Sequence, residues 1–116
     1  MADVLVDTDV FIDHLRGHRA LRPGGDRVRY STITRAELFA GRSADESPIR
    51  LLLAPFSEIP VDREVAELGG RIRRESSLTL PDALIAATAL RFRLALVTRN
   101  VRDFAPVHDL VIREPD

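Results

Sequence analysis

The sequence contains no cysteine and no lysine, and both absences limit the chemistry open to it. Without cysteine there can be no disulfide, thiolate nucleophile or sulfur-ligated metal, so any metal must be held by oxygen or histidine. All 17 basic residues are arginine, which excludes every mechanism that needs a lysine side chain. Carboxylates therefore become the leading candidates for metal ligands.

Long apolar runs and a strong excess of charge are also missing. No apolar stretch approaches the roughly 18 residues that cross a bilayer, and the N-terminus lacks a basic segment followed by an apolar one. We therefore expect a cytoplasmic protein. The net charge of −1 argues against a protein that coats nucleic acid nonspecifically, so any basic surface must be local.

The chain has 116 residues, of which 45% are hydrophobic and 30% are charged, as is typical of a globular domain. Strand-like segments at 4–6, 28–31, 57–61, 94–97 and 110–112 alternate with helical patterns. The second helix should begin near Thr34, an amphipathic helix should run from Asp62 to about Ser76, and an alanine-rich helix should follow Pro81. This alternation predicts one α/β domain, with a parallel sheet covered on both faces.

Four acidic residues fall where the predicted elements would bring them together. Asp7 directly follows the first strand, and Asp103 lies beyond the strand that ends at Val97. Glu37 and Asp82 fall in the first turns of the second helix and of the alanine-rich helix. Ligands bind at the carboxyl edge of a parallel sheet, and all four side chains can converge there.

Such a cluster of carboxylates calls for a cation. Two carboxylates about 4 Å apart repel by about 1 kcal/mol in water and by about 4 kcal/mol at an effective dielectric constant of 20. Oxygen ligands suit Mg²⁺ or Mn²⁺, which polarise phosphoryl oxygens and lower the pKa of an attacking water. The cluster therefore predicts phosphodiester hydrolysis.

These residues also have purely structural explanations. Glu37 stands three residues after Thr34, which is the spacing of a capping box, and Asp82 stands three residues after Thr79. Asp82 could also simply oppose the helix dipole.

Other polar residues near the cluster have explanations that involve no catalysis. Asp103 could be an ordinary loop carboxylate, and Asp9 is better explained as the N-cap of the first helix. His14, His18 and His108 lack metal-ligand spacing, so we expect them at the surface.

Four segments together resemble the VapC-type PIN-domain ribonuclease toxins of toxin-antitoxin systems. They are VLVDTDVFID at 4–13, STITRAELFAG at 31–41, LPDALIAATA at 80–89 and LVTRNVRDF at 96–104. Their order and spacing match nearly end to end. The resemblance implies a single PIN domain over residues 1–116 with an α/β/α sandwich fold, and an endoribonuclease that depends on Mg²⁺ or Mn²⁺.

The resemblance also implies roles for individual residues. Asp7, Glu37 and Asp82 match the family's metal-binding and catalytic carboxylates, and Asp103 matches its usual fourth acidic position. Some PIN domains have their fourth carboxylate where this chain has Asn100. Either Asn100 or Asp103 could therefore hold the outer shell of the metal.

Hydroxyl and guanidinium groups complete the predicted site. Thr8 and Thr98 match small hydroxyl positions that line the site in the family. Arg99 and Arg102 flank Asn100 and lie close in sequence to Asp103, so they could hold substrate phosphates beside the metal. Five more arginines could extend this basic track but are better explained as solvated helix positions: Arg71, Arg73, Arg74, Arg91 and Arg93.

Partners follow from the same resemblance. It implies a VapB-type antitoxin whose C-terminal segment crosses the toxin's groove and directs an Arg toward the carboxylates, where a guanidinium competes with metal and substrate. It further implies a homodimer and a structured transfer or ribosomal RNA as substrate. The chain is short for the family between residues 42 and 62, which leaves the shape of the groove open.

Parts of the sequence are also compatible with other classes of protein. The Asp7-Thr8-Asp9 sequence after a strand also fits phosphatases that form a phosphoaspartate, but those enzymes need a lysine at the phosphoryl site. The same lack excludes a Walker-type nucleotide site. A catalytically silent PIN domain that only binds RNA or antitoxin should have lost carboxylates, whereas here the set is complete.

Overall fold

The computed structural model describes residues 2–116 and contains five strands and six helices in that range. The strands are β1 (Asp3–Val6), β2 (Arg27–Ser31), β3 (Ser57–Ile59), β4 (Ala95–Val97) and β5 (Ile112–Arg113). The helices are α1 (Thr8–Leu15), α2 (Thr32–Phe39), α3 (Ser47–Leu53), α4 (Arg63–Glu75), α5 (Leu80–Phe92) and α6 (Val101–Phe104). The strands and helices follow one another in the predicted order, with two successive helices after β2 and again after β3.

All strand pairs are parallel, in the order β3-β2-β1-β4-β5. The chain builds the sheet outward from β1 through β2 to β3, and then crosses to the other side of β1 to form β4 and β5. Val6 at the end of β1 is paired with Val97 at the end of β4. The direction of winding therefore reverses between these two strand ends, and in open α/β sheets such a switch point is where ligands bind.

Two apolar cores cover the two faces of the sheet because successive strand residues point to opposite sides. The core beneath α4 and α5 includes Leu5, Val65, Ile85, Leu96 and Phe104. The core beneath α1 and α3 includes Val4, Val6, Phe11, Tyr30 and Leu53. The predicted α/β/α sandwich is therefore confirmed. None of the helices within residues 2–116 is both long enough and apolar enough to cross a membrane.

Helix α5 lies close to its neighbours because its buried side chains are small. Ala83, Ala86, Ala87 and Ala89 are all fully buried. On the facing side of α4, a Cβ atom added at Gly69 would lie only 2.6 Å from Leu84 Cδ2 and 3.3 Å from its Cα. The close packing of α4 on α5 thus depends on the missing side chain at Gly69.

Several predicted element boundaries were wrong, and β3, for example, ends at Ile59 rather than at residue 61. Helix α2 begins at Thr32 rather than near Thr34, because the Ser31 hydroxyl accepts a hydrogen bond from Ile33 N and caps the helix. Glu37 therefore lies in the second turn and not the first. The last strand is formed by Ile112 and its successor rather than by residues 110–112.

The contact between α4 and α5 can be tested with two alanine substitutions in the same helix. At the neighbouring Gly70, an added Cβ meets nothing within 4 Å. We expect Gly70→Ala to raise the free energy of unfolding by about 0.5–1 kcal/mol, because alanine favours a helix. The free energy of unfolding of Gly69→Ala should be about 1–3 kcal/mol lower than that of Gly70→Ala, because the added methyl group overpacks against Leu84. Urea denaturation measures both, and equal stabilities would contradict the close approach.

Candidate active site

Asp7 is the first residue after β1 and is also the N-cap of α1. Its side chain is only 4% exposed, and its backbone N donates to Val97 O at 2.9 Å. The carboxylate Oδ1 accepts from Thr8 N at 2.8 Å. The strand end, the helix start and the neighbouring strand thus fix Asp7 at the switch point of the sheet.

Thr98, the first residue after β4, supplies the second contact to this carboxylate. Its hydroxyl donates to Asp7 Oδ2 at 2.8 Å and lies 3.3 Å from Asp9 Oδ2. The same hydroxyl accepts from Asn100 N at 3.0 Å. A hydroxyl has a single proton, so the two carboxylates share one donor.

The expected role of Asp9 as an N-cap was wrong. Asp7 takes that position, and Asp9 extends from the first turn of α1 to the segment after β4, where its Oδ2 accepts from Arg99 N at 3.1 Å. Sequence reasoning missed this contact. The one available signal was a second carboxylate, Asp13, one helical turn further on and therefore on the same face of α1.

Glu37 is joined to the site through Thr8. The Thr8 hydroxyl donates to Glu37 Oε1 at 2.7 Å, and it lies 2.9 Å from the hydroxyl of Thr34. Thr34 is fully buried within α2. The capping-box explanation of Thr34 and Glu37 is therefore wrong, and Thr34 is a buried hydroxyl beside the site that the sequence did not reveal.

Asp82 and Asp103 lie on the α5 and α6 side of the site. Thr79 caps α5 by accepting from Asp82 N at 3.3 Å, so the capping contact expected at this spacing is present. Burial raises the pKa of the Asp82 carboxyl, and the charge of Asp103 raises it further, while the Thr79 hydroxyl lowers it. Asp103 thus acts electrostatically on Asp82.

The pKa of Asp7 is raised to about 7, chiefly by burial. The charges of Asp9 and then Asp82 add to the rise, while the hydrogen bonds from Thr98 and Thr8 oppose it. Burial also raises the pKa of Asp9. The charges of Asp9 and Asp82 therefore disfavour the ionised form of Asp7 at this edge of the sheet.

The chemistry of these side chains suits a divalent cation, but their arrangement does not yet form a coordination site. All four predicted ligands offer oxygen atoms, which Mg²⁺ and Mn²⁺ prefer, and mutual repulsion around buried Asp7 is what a bound cation would relieve. Within residues 2–116, however, no three acidic or histidine side chains are close enough together to hold an ion. The residues therefore fit the ion in chemistry, and side-chain movement would be needed to coordinate it.

The remaining predicted site residues differ in their surroundings. Asn100 is exposed and precedes α6 without capping it through its side chain. Arg99 Nε lies 2.5 Å from Asp13 Oδ2, so this guanidinium is already paired, whereas Arg102 is exposed. The distal Arg91 pairs with Glu64 at 2.6 Å.

Of the three histidines expected at the surface, His14 is half-buried instead. The ring of His14 accepts from Leu21 N at 2.9 Å and so holds the loop after α1. His18 and His108 are exposed, as expected.

Comparison with known proteins decides the family. The model of the PIN domain matches residues 4–109. The chain belongs to the PIN-domain family. Ribonuclease VapC19 of Mycobacterium tuberculosis is 36% identical over 91% of this chain and 95% of its own length. Ribonuclease VapC10 of the same species is 39% identical over 87% of this chain and 85% of its own. The resemblance to VapC-type PIN proteins is thereby confirmed.

Solved structures agree with this assignment. A toxin-antitoxin complex from Klebsiella pneumoniae contains a chain with a TM-score of 0.79 and 36% identity, over 93% of this PIN protein and 95% of that chain. VapBC2 from Rickettsia felis, solved with a promoter DNA fragment, gives a TM-score of 0.84 over 98% and 99% of the two chains, at 20% identity. The latter likeness concerns the fold alone.

Asp7 should make the metal-free protein less stable as the pH rises. The folded state binds this proton with a pKa of about 7 and the unfolded chain with a pKa of about 3.9, so folding favours the protonated form. The contribution is fully present below about pH 4 and is lost as the pH rises through 7. We expect the free energy of unfolding to fall by up to about 3 kcal/mol between pH 5 and pH 8 from this group.

Urea denaturation in EDTA at both pH values measures this dependence, with Asp7→Asn as the matched variant. The amide oxygen can still accept from Thr8 N, and its NH₂ can donate to the Thr98 hydroxyl, so the variant should keep the fold and lose the dependence. It should also be more stable than the parent at pH 8. Equal pH dependence in the two proteins would show that Asp7 is not the group responsible.

Proposed function

We propose that this chain is a divalent-metal-dependent endoribonuclease and the toxin of a VapBC-like toxin-antitoxin system. The observation that carries the proposal is Asp7, a buried carboxylate at the switch point of the sheet whose charge is opposed by Asp9 and Asp82. Such an arrangement costs stability and is typical of a site that a cation completes. Family membership and the relatives named ribonucleases support the assignment.

Asp7, Glu37, Asp82 and Asp103 are the proposed ligands of Mg²⁺ or Mn²⁺. Bound there, the ion would offset the negative charge on phosphoryl oxygens and would lower the pKa of an attacking water. The Thr8 hydroxyl orients Glu37 by donating to it. We propose that these carboxylates are also the catalytic residues.

The other side chains of the site would orient the carboxylates or bind the substrate. Thr98 orients Asp7 through its hydroxyl. Arg102 is exposed one residue from Asp103, where it could contact a substrate phosphate, whereas Arg99 would first have to leave Asp13. Asn100 keeps its proposed role in the outer shell of the ion. Structured transfer or ribosomal RNA, cleaved in the cytoplasm, remains the proposed substrate.

The proposed partner is a VapB-type antitoxin. A groove between α1, α2 and α3 is lined by Ile12, Leu15, Leu38 and Ile49, and it reaches Glu37. An apolar peptide segment that ends in an arginine would fit this groove and could pair with the carboxylates. The toxin-antitoxin complex from Klebsiella pneumoniae supports such a partner. The homodimer, and a PIN domain that spans all of residues 1–116, are proposed on the same family grounds.

One observation favours the alternative of a catalytically silent PIN module that binds only RNA or antitoxin. No three candidate ligands within residues 2–116 are close enough to hold an ion without movement. The complete set of four carboxylates argues against this alternative. Metal-dependent cleavage separates the two functions, because a silent module would bind RNA and leave it intact.

The test is cleavage of total cellular RNA by purified antitoxin-free protein, with Mg²⁺ or Mn²⁺ compared against EDTA. We expect discrete fragments that need the metal. Asp7→Asn and Glu37→Gln should each slow cleavage by at least about 100-fold, because each removes a ligand charge.

The matched control is Glu67→Gln, which removes the same charge from the exposed side of α4 and should cleave at the parental rate. A folded parent protein that leaves the RNA intact would favour the silent module. Parental activity in Glu37→Gln would refute the assigned site.

A further inference from the structure

We propose that Asp9 is a positioning residue that, together with Asp13, fixes the segment after β4 and so keeps Asp103 beside the other site carboxylates. The inference rests on the proposed function and adds to it a device for holding the site together. Neither Asp9 nor Asp13 is among the proposed ligands.

Two carboxylates one turn apart on α1 hold residue 99 at two points. Asp9 Oδ2 accepts from the backbone N of Arg99 at 3.1 Å, and Asp13 Oδ2 lies 2.5 Å from its guanidinium Nε. The Arg99 side chain is only 20% exposed. The backbone amide of Arg99 is therefore hydrogen-bonded to α1, and its guanidinium is within ion-pair distance of the same face, although Nε makes no hydrogen bond of acceptable geometry within residues 2–116.

The segment held in this way carries the site contacts of β4. Thr98, which precedes Arg99, donates to Asp7. Asn100, which follows Arg99, accepts a hydrogen bond from Asp103 N at 3.1 Å through its backbone oxygen and so starts α6. A shift of Arg99 away from α1 would move Thr98 and Asp103 together.

The role of Asp9 rests on the hydrogen bonds that one of its oxygens accepts, and not on its charge. Its second oxygen, Oδ1, is buried and has no hydrogen-bond donor among residues 2–116. An asparagine would accept the same two bonds without placing another charge beside Asp7. A buried carboxylate oxygen without a partner costs stability, so we attribute the retention of Asp9 to the hydrogen bonds that its other oxygen accepts from the segment after β4.

The experiment compares Asp9→Ala, which removes both acceptor oxygens, with Asp9→Asn, which retains one. Asp62→Ala is the control for simple destabilisation, because Asp62 caps α4 by accepting from Val65 N at 2.9 Å. Three quantities are measured for each protein. They are amide hydrogen exchange of residues 98–104, affinity for Mn²⁺ without RNA, and RNA cleavage at saturating Mn²⁺.

We expect Asp9→Ala to speed exchange at Arg99 and to weaken Mn²⁺ binding by about tenfold or more, which is the effect of removing an outer-shell partner. Cleavage should fall by a similar factor. Asp9→Asn should remain within about threefold of the parent for Mn²⁺ affinity and cleavage. Asp62→Ala should lower the Tm and leave Mn²⁺ affinity unchanged.

Three outcomes would overturn the inference. They are parental exchange and Mn²⁺ affinity in Asp9→Ala, equal losses in Asp9→Asn and Asp9→Ala, and equal losses of Mn²⁺ affinity in Asp9→Ala and Asp62→Ala. A parent that binds Mn²⁺ but cleaves no RNA would contradict only the proposed function. In that case exchange and Mn²⁺ affinity would still decide the role of Asp9.

Discussion

A carboxylate held almost out of solvent by donors that carry no charge is the constraint on which this site depends. Asp7 is bound by a backbone amide and by the hydroxyl of Thr98. Neutral donors fix its orientation and leave its negative charge uncompensated. An arginine in the same place would neutralise the carboxylate permanently and would compete with any incoming cation.

Neutral donors and arginines also contact different acidic residues elsewhere in the molecule. Glu37 is likewise bound by a neutral donor, the hydroxyl of Thr8. The Thr79 hydroxyl lowers the pKa of the Asp82 carboxyl. The arginine ion pairs within residues 2–116 involve other acidic residues, and several of them join distant parts of the chain. They are Arg35 with Glu58, Arg91 with Glu64, Arg99 with Asp13 and Arg113 with Asp26. These ion pairs compensate charge where they join distant parts of the fold. Within residues 2–116, the carboxylate of Asp7 at the switch point has no such ion pair.

The sequence predicted the layers because periodicity and strand order follow from local pattern and from the rules of parallel sheets. It also located Asp7, since an ionisable residue that ends an apolar strand stands out. It could not locate Asp9 or Thr34 correctly. Asp9 binds an amide 90 residues away, and the role of Thr34 depends on Thr8, 26 residues earlier. Such partners are set by tertiary packing, which local spacing does not encode.

The error at α2 has the same origin. Both Ser31 and Thr34 are residue types that cap helices, and only the end of β2 decides that Ser31 does so. If α2 began at Thr34, that hydroxyl would cap the helix and would not be available to contact Thr8. The site therefore depends on a boundary that propensity alone leaves ambiguous.

Helix α5 links the core to the chemistry in a way that bears on how variants of this protein should be interpreted. Asp82 stands in its first turn, and the alanines behind it are fully buried against the sheet and α4. A larger side chain at Ala83 or Ala86 would push the helix outward and carry Asp82 with it. A genetic screen for inactive forms would therefore recover conservative core changes in α5 alongside lost carboxylates. Among homologues, α5 should therefore be constrained in side-chain volume at its buried alanines and in charge at Asp82.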